Sequence, residues 1–436
     1  MRQFQEQPFL DDTLAPYLIL TNGSKFFDRV CFLNSNKFIN DPYSSFDWVI
    51  ALGCHKEIKT SEDKIFESLK EFSDKTNDWI FGFLCYDVKN QTENLYSSNV
   101  DNINLDLAHF FQPEILIICK EKKMSLGLLH NNSKWRNHSY AWSVLTDSLT
   151  RTEKNLNRTN IKSRVKKPDY ISDIKRIKEH IQRGDIYEMN YCVEFFGENS
   201  QIDPLQTYWK LNELSPAPFS AYYRLGDKYL MCSSPERFIK KAGDKIISQP
   251  IKGTIKRGNT ISQDKKLKEE LFNDPKERSE NIMIVDLVRN DLAKTAVKGS
   301  VNVEELCEVY TFAHVHHMVS TITSCLSNDS HYTDAIRKAF PMGSMTGAPK
   351  VRAMEIIEQY ESTKRGLYSG CLGYINADKD FDFNVIIRSI LYNQTNRYVN
   401  YMVGGAITSG SDPEKEYNEC LLKAKAMNDV LNDDAL

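Results

Sequence analysis

The sequence lacks any apolar run that approaches the roughly 20 residues needed to cross a bilayer. Its first residues contain no apolar segment of the kind found in a secretory signal peptide. It also lacks an excess of charge of one sign, because 56 basic and 59 acidic residues leave a net charge of −3. These absences argue against a membrane protein, a secreted protein and a general binder of nucleic acid, and we expect a cytoplasmic protein.

Cysteine pairs are missing as well. The chain has ten cysteines, but none forms a C-x-x-C pair. Most lie singly in apolar runs, which favours reduced core thiols over a disulfide framework or a zinc site. The apolar content of 41% and the charged content of 26% are typical of a globular protein. With 436 residues, the chain is long enough for two domains or one large two-layered unit.

Strand-like and helix-like patterns are mixed along the whole chain. Residues 1–150 are interpreted as an N-terminal α+β region, 151–168 as a polar, basic linker and 169–436 as a catalytic domain. Because the two patterns do not alternate strictly, we predict the α+β class. The predicted strands are 17–20, 46–52, 79–84, 115–119, 190–196, 219–225 and 245–248. The predicted helices are 61–72, 171–183, 203–213 and 264–272.

One lysine lies between an apolar strand and a glycine turn, in Pro250-Ile251-Lys252-Gly253-Thr254. Glu236 precedes this lysine by sixteen residues and ends another short apolar run. A lysine amine that is removed from water can act as a nucleophile, and a carboxyl group beside it can move a proton. On local spacing alone, two solvated turn residues are the more common explanation.

Two pairs of glutamates have the i, i+3 spacing that places both side chains on one helix face. Glu277 and Glu280 lie in a predicted helix over 273–292, and Glu416 and Glu419 lie in a predicted helix that runs to residue 428. Carboxylates from two helices suit Mg²⁺, which prefers oxygen ligands in six-coordinate geometry. By spacing alone, two ordinary acidic helix starts are the more common cause.

Glycine-rich turns offer backbone groups that can hold anions. Residues 341–350 form such a turn before a predicted helix over 351–360, and its N–H groups and Thr346 could hold a carboxylate. The turn is not a P-loop, because G-x-x-x-x-G-K-[S/T] is absent. The backbone around Gly404 and Ala406 is a second place where a ligand could approach closely.

Arg388 directly follows an apolar segment, 383–387, that is predicted to be a strand. An arginine at the end of an apolar strand is expected to be partly buried. Its planar guanidinium is the usual protein group for holding a carboxylate through two parallel hydrogen bonds. Arg388 is therefore a candidate anion-binding residue.

Together, these segments resemble the chorismate-binding enzyme family, which includes the anthranilate, aminodeoxychorismate, isochorismate and salicylate synthases. The resemblance covers residues from about 170 to 430, and its motifs occur in the family's order. They are 233–238, 250–258, 277–291, 340–353 with 367–374, and 404–423. The resemblance implies a fold of two facing, antiparallel-rich β-sheets flanked by helices, in which residues 1–150 match the N-terminal region of anthranilate synthase component I.

The resemblance also implies roles for individual residues. Mg²⁺ would be bound by Glu280 and Glu419, with Glu277 and Glu416 close by, and it would hold the ring carboxylate of chorismate. His317 matches a family histidine near the ring, although a histidine in such an apolar run is more often a satisfied core residue. The groups that would hold the substrate carboxylates are Arg388, Tyr368, Lys423, Thr346, Thr254 and the backbone around Gly404 and Ala406.

Lys252 indicates which member of the family the chain resembles. Anthranilate synthases usually have a small residue there, whereas aminodeoxychorismate synthases have a lysine that attacks C2 of chorismate while the C4 hydroxyl leaves. Glu236 matches the acid that protonates this hydroxyl. Ammonia then adds at C4, which gives 4-amino-4-deoxychorismate, the precursor of para-aminobenzoate and folate.

One residue departs from the family pattern, and one component is missing. Glu188 stands where aminating members commonly have glutamine and water-adding members have lysine, so it either pairs with Lys252 or only packs. The nearest glutaminase-like cysteine, Cys371, lies within the chorismate motif, so a separate glutaminase subunit is implied as the ammonia source. Two alternatives stay open, an anthranilate synthase component I and a catalytically silent homologue that binds a partner.

Overall fold

The structure, a computed structural model, describes residues 2–432 apart from 12, 39–40, 61–63, 130–134, 136 and 149–157. Within these residues, helices surround two large β-sheets. The α-helices are α1 Leu14–Gly23, α2 Ile65–Thr76, α3 Lys89–Thr92, α4 His138–Leu145, α5 Lys167–Gln182, α6 Pro204–Leu214, α7 Ile261–Asn273, α8 Pro275–Ala293, α9 Tyr332–Ala339, α10 Lys350–Tyr360 and α11 Pro413–Asn432.

The strands are numbered in chain order. They are β1 Arg2–Gln7, β2 Arg29–Asn34, β3 Trp48–Leu52, β4 Lys56–Thr60, β5 Ile80–Leu84, β6 Ala108–Gln112, β7 Ile115–Lys120, β8 Lys123–Leu129, β9 Lys162–Ser163, β10 Glu188–Gly197, β11 Phe219–Leu225, β12 Lys228–Ser234, β13 Arg237–Ala242, β14 Lys245–Gln249, β15 Ile251–Lys256, β16 Asn302–Thr311, β17 Val315–Cys325, β18 Gly347–Ala348, β19 Cys371–Ile375, β20 Phe381–Asn384, β21 Ser389–Asn393 and β22 Tyr398–Ile407.

Both sheets are antiparallel, which confirms the predicted fold of two antiparallel-rich sheets flanked by helices. The first has twelve strands in the order β1-β8-β7-β3-β2-β11-β12-β21-β22-β10-β18, and β9 also pairs with β10. The second has ten in the order β15-β17-β14-β13-β20-β19-β5-β6-β4, and β16 also pairs with β17. Antiparallel sheets of this kind bury one face on the other sheet and one on helices.

Buried apolar side chains lie between the layers. The group between the two sheets includes Cys31 and Tyr223 from the first sheet and Phe83 and Leu372 from the second. Two further groups lie between each sheet and its helices. Burial of apolar surface stabilises the fold by about 25 cal/mol per Å² removed from water. The three groups of buried side chains therefore fix the sheets against each other and against the helices that carry the candidate site.

Strands from both predicted regions share each sheet. β2 pairs with β11 in the first sheet, and β5 pairs with β19 in the second. The division at residues 1–150 and 169–436 therefore describes the sequence rather than two separate cores. Of the predicted linker, 151–157 lies outside the described residues, whereas β9 joins the first sheet and α5 begins at Lys167.

Most of the predicted elements form. β3, β5 and β7 confirm the strands predicted over 46–52, 79–84 and 115–119. The prediction of a strand over 17–20 is wrong, because this segment lies inside α1. Ala15, Ile19 and Gly23 recur every four residues and are buried, so they form one helical face, and the apolar content of 17–20 concealed this period. The first residues of the helix predicted over 61–72 lie outside the described residues.

Arg388 is also placed differently from the prediction. β20 ends at Asn384, and the chain then leaves the sheet before β21 begins. Arg388 adopts a φ of 51°, in the left-handed region that strands do not use. The prediction that it ends a strand over 383–387 is therefore wrong, and it lies in the connection between β20 and β21.

Eight of the ten cysteines are buried, Cys54 is half-buried and Cys325 is exposed. The burial agrees with the expectation that most of them pack in the core. Within the described residues, no helix combines the length and the apolar character that a membrane span requires.

Candidate active site

Two helices carry the glutamate pairs, and both are capped by aspartates. The side chain of Asp274 accepts hydrogen bonds from two backbone N–H groups at the start of α8, and Asp412 does the same for α11. α8 packs on β15 and β17, and α11 packs on β22. The first turns of the two helices thus bring Glu277 and Glu416 to the same part of the fold.

Lys276 lies among the four glutamates. Its Nζ is 3.6 Å from Glu280 Oε1 and 4.0 Å from Glu277 Oε1. Burial acts to lower the pKa of Lys276, but the charges of Glu280, Glu277, Glu416 and Glu419 outweigh burial and raise it. Lys252 and Lys423 also act on the cluster, so three ammonium groups face four glutamates.

Glu280 shows what this surplus means. Burial raises the pKa of Glu280 to about 7, against the lowering effect of Lys252 and Lys276. Its Oε1 is buried and has no hydrogen-bond partner in the described part of the chain. A buried, unpartnered carboxylate oxygen beside other carboxylates has the donor chemistry that Mg²⁺ prefers. The described residues contain no ready-made cluster of three such ligands, so the magnesium site stays a prediction whose donors fit.

Lys252 is on β15, where the strand is irregular. The pairing of β15 with β17 shifts register between Ile251 and Thr254, and Gly253 in this bulge has a φ of 91°. This positive φ favours glycine, and a Cβ at Gly253 would lie 3.1 Å from Glu277 Oε2, so the bulge also lies close to the glutamate pair of α8. The bulge re-aims Lys252 away from the regular alternation of the strand. The side chain is buried, with 10% of its surface exposed.

Glu188, the first residue of β10, is the acidic neighbour of this lysine. Its Oε1 is 3.6 Å from Lys252 Nζ. The residue is completely buried, and neither of its carboxylate oxygens has a hydrogen-bond partner among the residues that the structure describes. The sequence left open whether Glu188 pairs with Lys252 or only packs. The 3.6 Å distance shows that the two residues form an ion pair.

Glu236 lies between β12 and β13 and is buried. The hydroxyl of Ser344 donates to Glu236 Oε1 over 2.6 Å. Burial raises the pKa of Glu236 to about 7, although the hydrogen bond from Ser344 and the charge of Lys252 act to lower it. A carboxyl group with such a pKa can hold a proton at neutral pH and deliver it.

His317 lies on β17 directly opposite Thr254 of β15. Thr254 Oγ1 and His317 Nδ1 are 2.8 Å apart. Burial, together with the charge of Arg388, lowers the pKa of His317 to about 3, so the imidazole is neutral. A neutral imidazole can orient a substrate or polarise it without adding charge to the site.

Two cationic side chains, Arg388 and Lys423, also belong to the candidate site. Arg388 is half-buried, and burial lowers its pKa against the charges of Tyr368 and Glu419. Its guanidinium makes no hydrogen bond or ion pair within the described part of the chain. Lys423 Nζ is 2.7 Å from Glu419 Oε1 and donates to the Gly404 carbonyl over 3.0 Å. One free guanidinium near a tethered ammonium is a suitable receptor for a carboxylate.

The remaining predicted binding residues are less directly available. The Thr346 hydroxyl donates to the carbonyl groups of Met342 and Gly343, so it stabilises its own turn. Ala406 pairs with Asn190 within the first sheet. A role for Thr346 and Ala406 in substrate binding stays a prediction.

Some residues of the site were missed from the sequence. Ser344 was part of a recognised glycine-rich turn, but nothing in its spacing indicated the bond to Glu236. Lys276 precedes Glu277 directly, so its position among the acids was readable from the helix. Arg365 and Glu361 have i, i+4 spacing and form a buried ion pair of 2.6 Å that supports the backbone near Cys192.

Known proteins of one enzyme family are similar to this chain. Residues 19–429 match the family described as chorismate binding enzyme. A probable chloroplastic aminodeoxychorismate synthase of Oryza sativa is 43% identical over 61% of this chain. The aminodeoxychorismate synthase component 1 of Salmonella typhimurium is 37% identical over 78% of this chain and 73% of its own length. The chain spans only 30% of the rice protein.

Other relatives carry a different name. Proteins named anthranilate synthase component 1 are 32% identical to this chain. Among solved structures, anthranilate synthase component I from Streptococcus pneumoniae superimposes with a TM-score of 0.78, covering 97% of this chain and 99% of that one. At 24% identity, this likeness concerns the fold.

Proposed function

This chain belongs to the chorismate-binding enzyme family, and we propose that it is the aminating component of an aminodeoxychorismate synthase. The observation that carries the proposal is a buried lysine whose charge acts on a buried carboxyl group with a raised pKa. Lys252 is 9% exposed, and its charge acts on Glu236, whose pKa is about 7. A nucleophile and an acid whose charges act on each other suit a substitution at an allylic alcohol.

The proposed reaction uses these two residues in sequence. The neutral amine of Lys252 attacks C2 of chorismate, the ring double bond shifts, and the C4 hydroxyl leaves with the proton of Glu236 as water. Ammonia then attacks C4, the double bond shifts back, and the bond from C2 to Lys252 breaks. The covalent adduct divides one difficult substitution into two easier ones.

The other groups would bind and orient the substrate. Arg388 and Lys423 would hold carboxylates, and His317 and Thr254 would face the ring. The glutamates of α8 and α11 would hold Mg²⁺, and their donor chemistry supports this. When bound, the ion would neutralise and fix the ring carboxylate of chorismate.

The decisive experiment identifies the product. Purified protein is incubated with chorismate, Mg²⁺ and a high ammonium concentration at mildly alkaline pH, and the products are separated by chromatography with mass detection. We expect 4-amino-4-deoxychorismate, which retains the pyruvyl group. Anthranilate with free pyruvate would show the second candidate, an anthranilate synthase component I, which the relatives of that name favour.

The ammonia source and the location follow from the same proposal. The Salmonella relative is named component 1, which supports a separate glutaminase partner for this chain. If so, added glutaminase and glutamine replace free ammonium in the assay. A lack of turnover with either ammonia source would favour a catalytically silent homologue. The cytoplasmic location stays a prediction.

A further inference from the structure

Glu188 is a buried carboxylate without the contacts that normally accompany one. It is completely buried, and neither oxygen has a hydrogen-bond partner in the described structure. Removing a charge from water costs several kcal/mol unless a partner and hydrogen bonds compensate. Its one ion-pair partner in the described part of the chain is Lys252, at 3.6 Å, beyond hydrogen-bond distance.

The backbone holds Glu188 in this place. Glu188 pairs with Ala348 of β18, and the N–H of Tyr187 donates to the Ala348 carbonyl over 2.7 Å. A Cβ at Gly347 would come within 2.3 Å of the Glu188 carbonyl oxygen, so only glycine allows β18 to approach β10 this closely. The pairing of β10 with β18 therefore fixes the backbone of Glu188, and its carboxylate faces Lys252.

We propose that Glu188 is the proton acceptor for Lys252, so that the ammonium becomes a nucleophilic amine by proton transfer within the pair rather than to water. The proposal rests on the proposed function, in which Lys252 forms the adduct. Glu188 acts through Lys252, and its oxygens can accept a proton because no other group among the described residues bonds to them.

Over one catalytic cycle, Lys252, Glu188 and Glu236 each return to the protonation state in which they began. Lys252 gives one proton to Glu188, and its nitrogen lone pair forms the bond to C2 while the C4–O bond breaks and Glu236 protonates the leaving hydroxyl. When ammonia forms the C4–N bond, the N–C2 bond breaks and its electron pair returns to nitrogen. Lys252 then recovers its proton from Glu188, and Glu236 takes the proton that the new C4 ammonium loses.

Other charged groups also face Lys252. Its charge acts on Glu236 from the connection between β12 and β13, on Glu277 and Glu280 from α8, and on Glu419 from α11. Glu236 serves the leaving hydroxyl and is bonded to Ser344. The glutamates of α8 and α11 that act on Lys252 are those of the predicted Mg²⁺ site. Removing Glu188 also removes a charge that acts on Glu280, so the proton of Lys252 has to be followed on Lys252 itself as well as through the rate.

The test is the pH profile of Glu188→Gln, measured as chorismate consumption at a fixed concentration of free ammonia. A proton that moves within the pair is not exchanged with the solvent, so from pH 7 down to 5.5 the wild-type rate changes only through groups that both proteins share, such as Glu280 with its pKa of about 7. In the variant the amine must also lose its proton to water, so the ratio of the variant rate to the wild-type rate falls about tenfold per pH unit on the acid side. Identical profiles for the two proteins would overturn the proposal.

Glu194→Gln is the matched control. Glu194 is a buried carboxylate on the same face of β10, and it accepts hydrogen bonds from Tyr398 and Asn400. We expect the control to keep the wild-type profile. An acid limb steeper than that of the wild type in both variants would mean that loss of any buried carboxylate from this strand changes the profile, and it would overturn the assignment to Glu188.

A second measurement does not depend on the product. Lys252 in the wild-type protein and in Glu188→Gln is labelled with acetic anhydride at a series of pH values, without chorismate, and the modified peptide is quantified by mass spectrometry. Loss of the opposite charge should move the onset of labelling about one pH unit or more toward lower pH. Equal onset would overturn the coupling, whatever the product. A shifted onset with anthranilate as product would overturn the proposed function and keep the coupling.

Discussion

Two buried ion pairs adjoin β10, and they differ in how completely their polar atoms are satisfied. Arg365 and Glu361 are joined by bonds of 2.6 and 2.9 Å, and Arg365 also donates to the backbone carbonyl groups of Met345 and Asn190. The N–H of Cys192, in β10, donates to the same glutamate. Almost every donor and acceptor in this pair is used.

The pair of Lys252 and Glu188 is the opposite case. Lys252 Nζ and Glu188 Oε1 are 3.6 Å apart, and within the described ranges both oxygens of Glu188 lack a hydrogen-bond partner. A saturated pair fixes the backbone around it, because moving either charge breaks many bonds at once. An unsaturated pair leaves a proton and an amine free to react. Burial alone therefore does not separate a structural from a reactive ion pair, whereas hydrogen-bond saturation does.

The largest expected effect comes from removing the amine of the unsaturated pair. Lys252→Ala should lower the rate of chorismate amination at saturating ammonia by at least about 10⁴-fold, because a missing nucleophile ends the covalent route. The measurement is steady-state product formation, and thermal unfolding of the variant checks its fold. Full activity in the variant would break the comparison, since the unsaturated pair would then have no reactive role.

The next effect concerns the acid beside that pair. Glu236→Gln should lower the rate by about 10²–10⁴-fold, because the leaving hydroxyl loses its proton donor. Since burial raises the pKa of Glu236 to about 7, the wild-type rate should fall as the pH rises above that value. The variant should lose this alkaline limb. A wild-type rate that stays constant from pH 6 to 9 would contradict the assignment.

The raised pKa of Glu236 also makes the stability of the protein depend on pH. Its pKa in the folded protein lies above the ordinary value of 4.5, so the folded state binds the proton more tightly than the unfolded state. The stability that this carboxyl group contributes is complete below its ordinary pKa and is lost as the pH rises through about 7. The difference in unfolding free energy between wild type and Glu236→Gln should follow this direction.

The saturated pair should respond in stability. Arg365→Met leaves Glu361 buried and uncompensated, which should reduce the free energy of unfolding by about 3–5 kcal/mol in denaturant titrations. The double variant Arg365→Met with Glu361→Leu should recover most of this loss, because the buried charge is gone. If the single variant unfolded like the wild type, saturation would not mark a structural pair.

An exposed pair should show the smallest effect. Lys265 and Glu269 on α7 are 3.9 Å apart, and their side chains are 78% and 64% exposed. Lys265→Ala should change the free energy of unfolding by no more than about 0.5 kcal/mol, because water screens the charges. A loss as large as that for Arg365→Met would show that the comparison of buried pairs has no special meaning.

The sequence was sufficient for the fold class and for most elements. β11 and β10 had clear apolar strand patterns at 219–225 and 190–196, and the spacing of Glu277 and Glu280 located a helix face correctly. These features depend on neighbours within a few positions, where local periodicity is informative. The glycine after Lys252 was interpreted as a turn, which is wrong, because the segment forms β15 and Gly253 lies in a bulge of that strand.

Features that depend on distant contacts were beyond the sequence. Glu188 is near Lys252 only because β10 and β15 belong to different sheets that meet at the site. Ser344 contacts Glu236 across 108 positions. Arg388 leaves the predicted strand because its φ of 51° belongs to a turn, which the apolar residues before it did not indicate. Tertiary packing decides such positions, and one sequence does not display it.

The interleaving of early and late strands bears on how the protein is made. Leu84 in β5 pairs with Cys371 in β19, so a ribosome that adds about 5–20 residues per second leaves this strand edge open for tens of seconds. An open edge is a template for pairing with another nascent chain. During translation the polypeptide therefore passes through a long aggregation-prone interval, and slower growth at low temperature or abundant chaperones should decide how much of it reaches the native state.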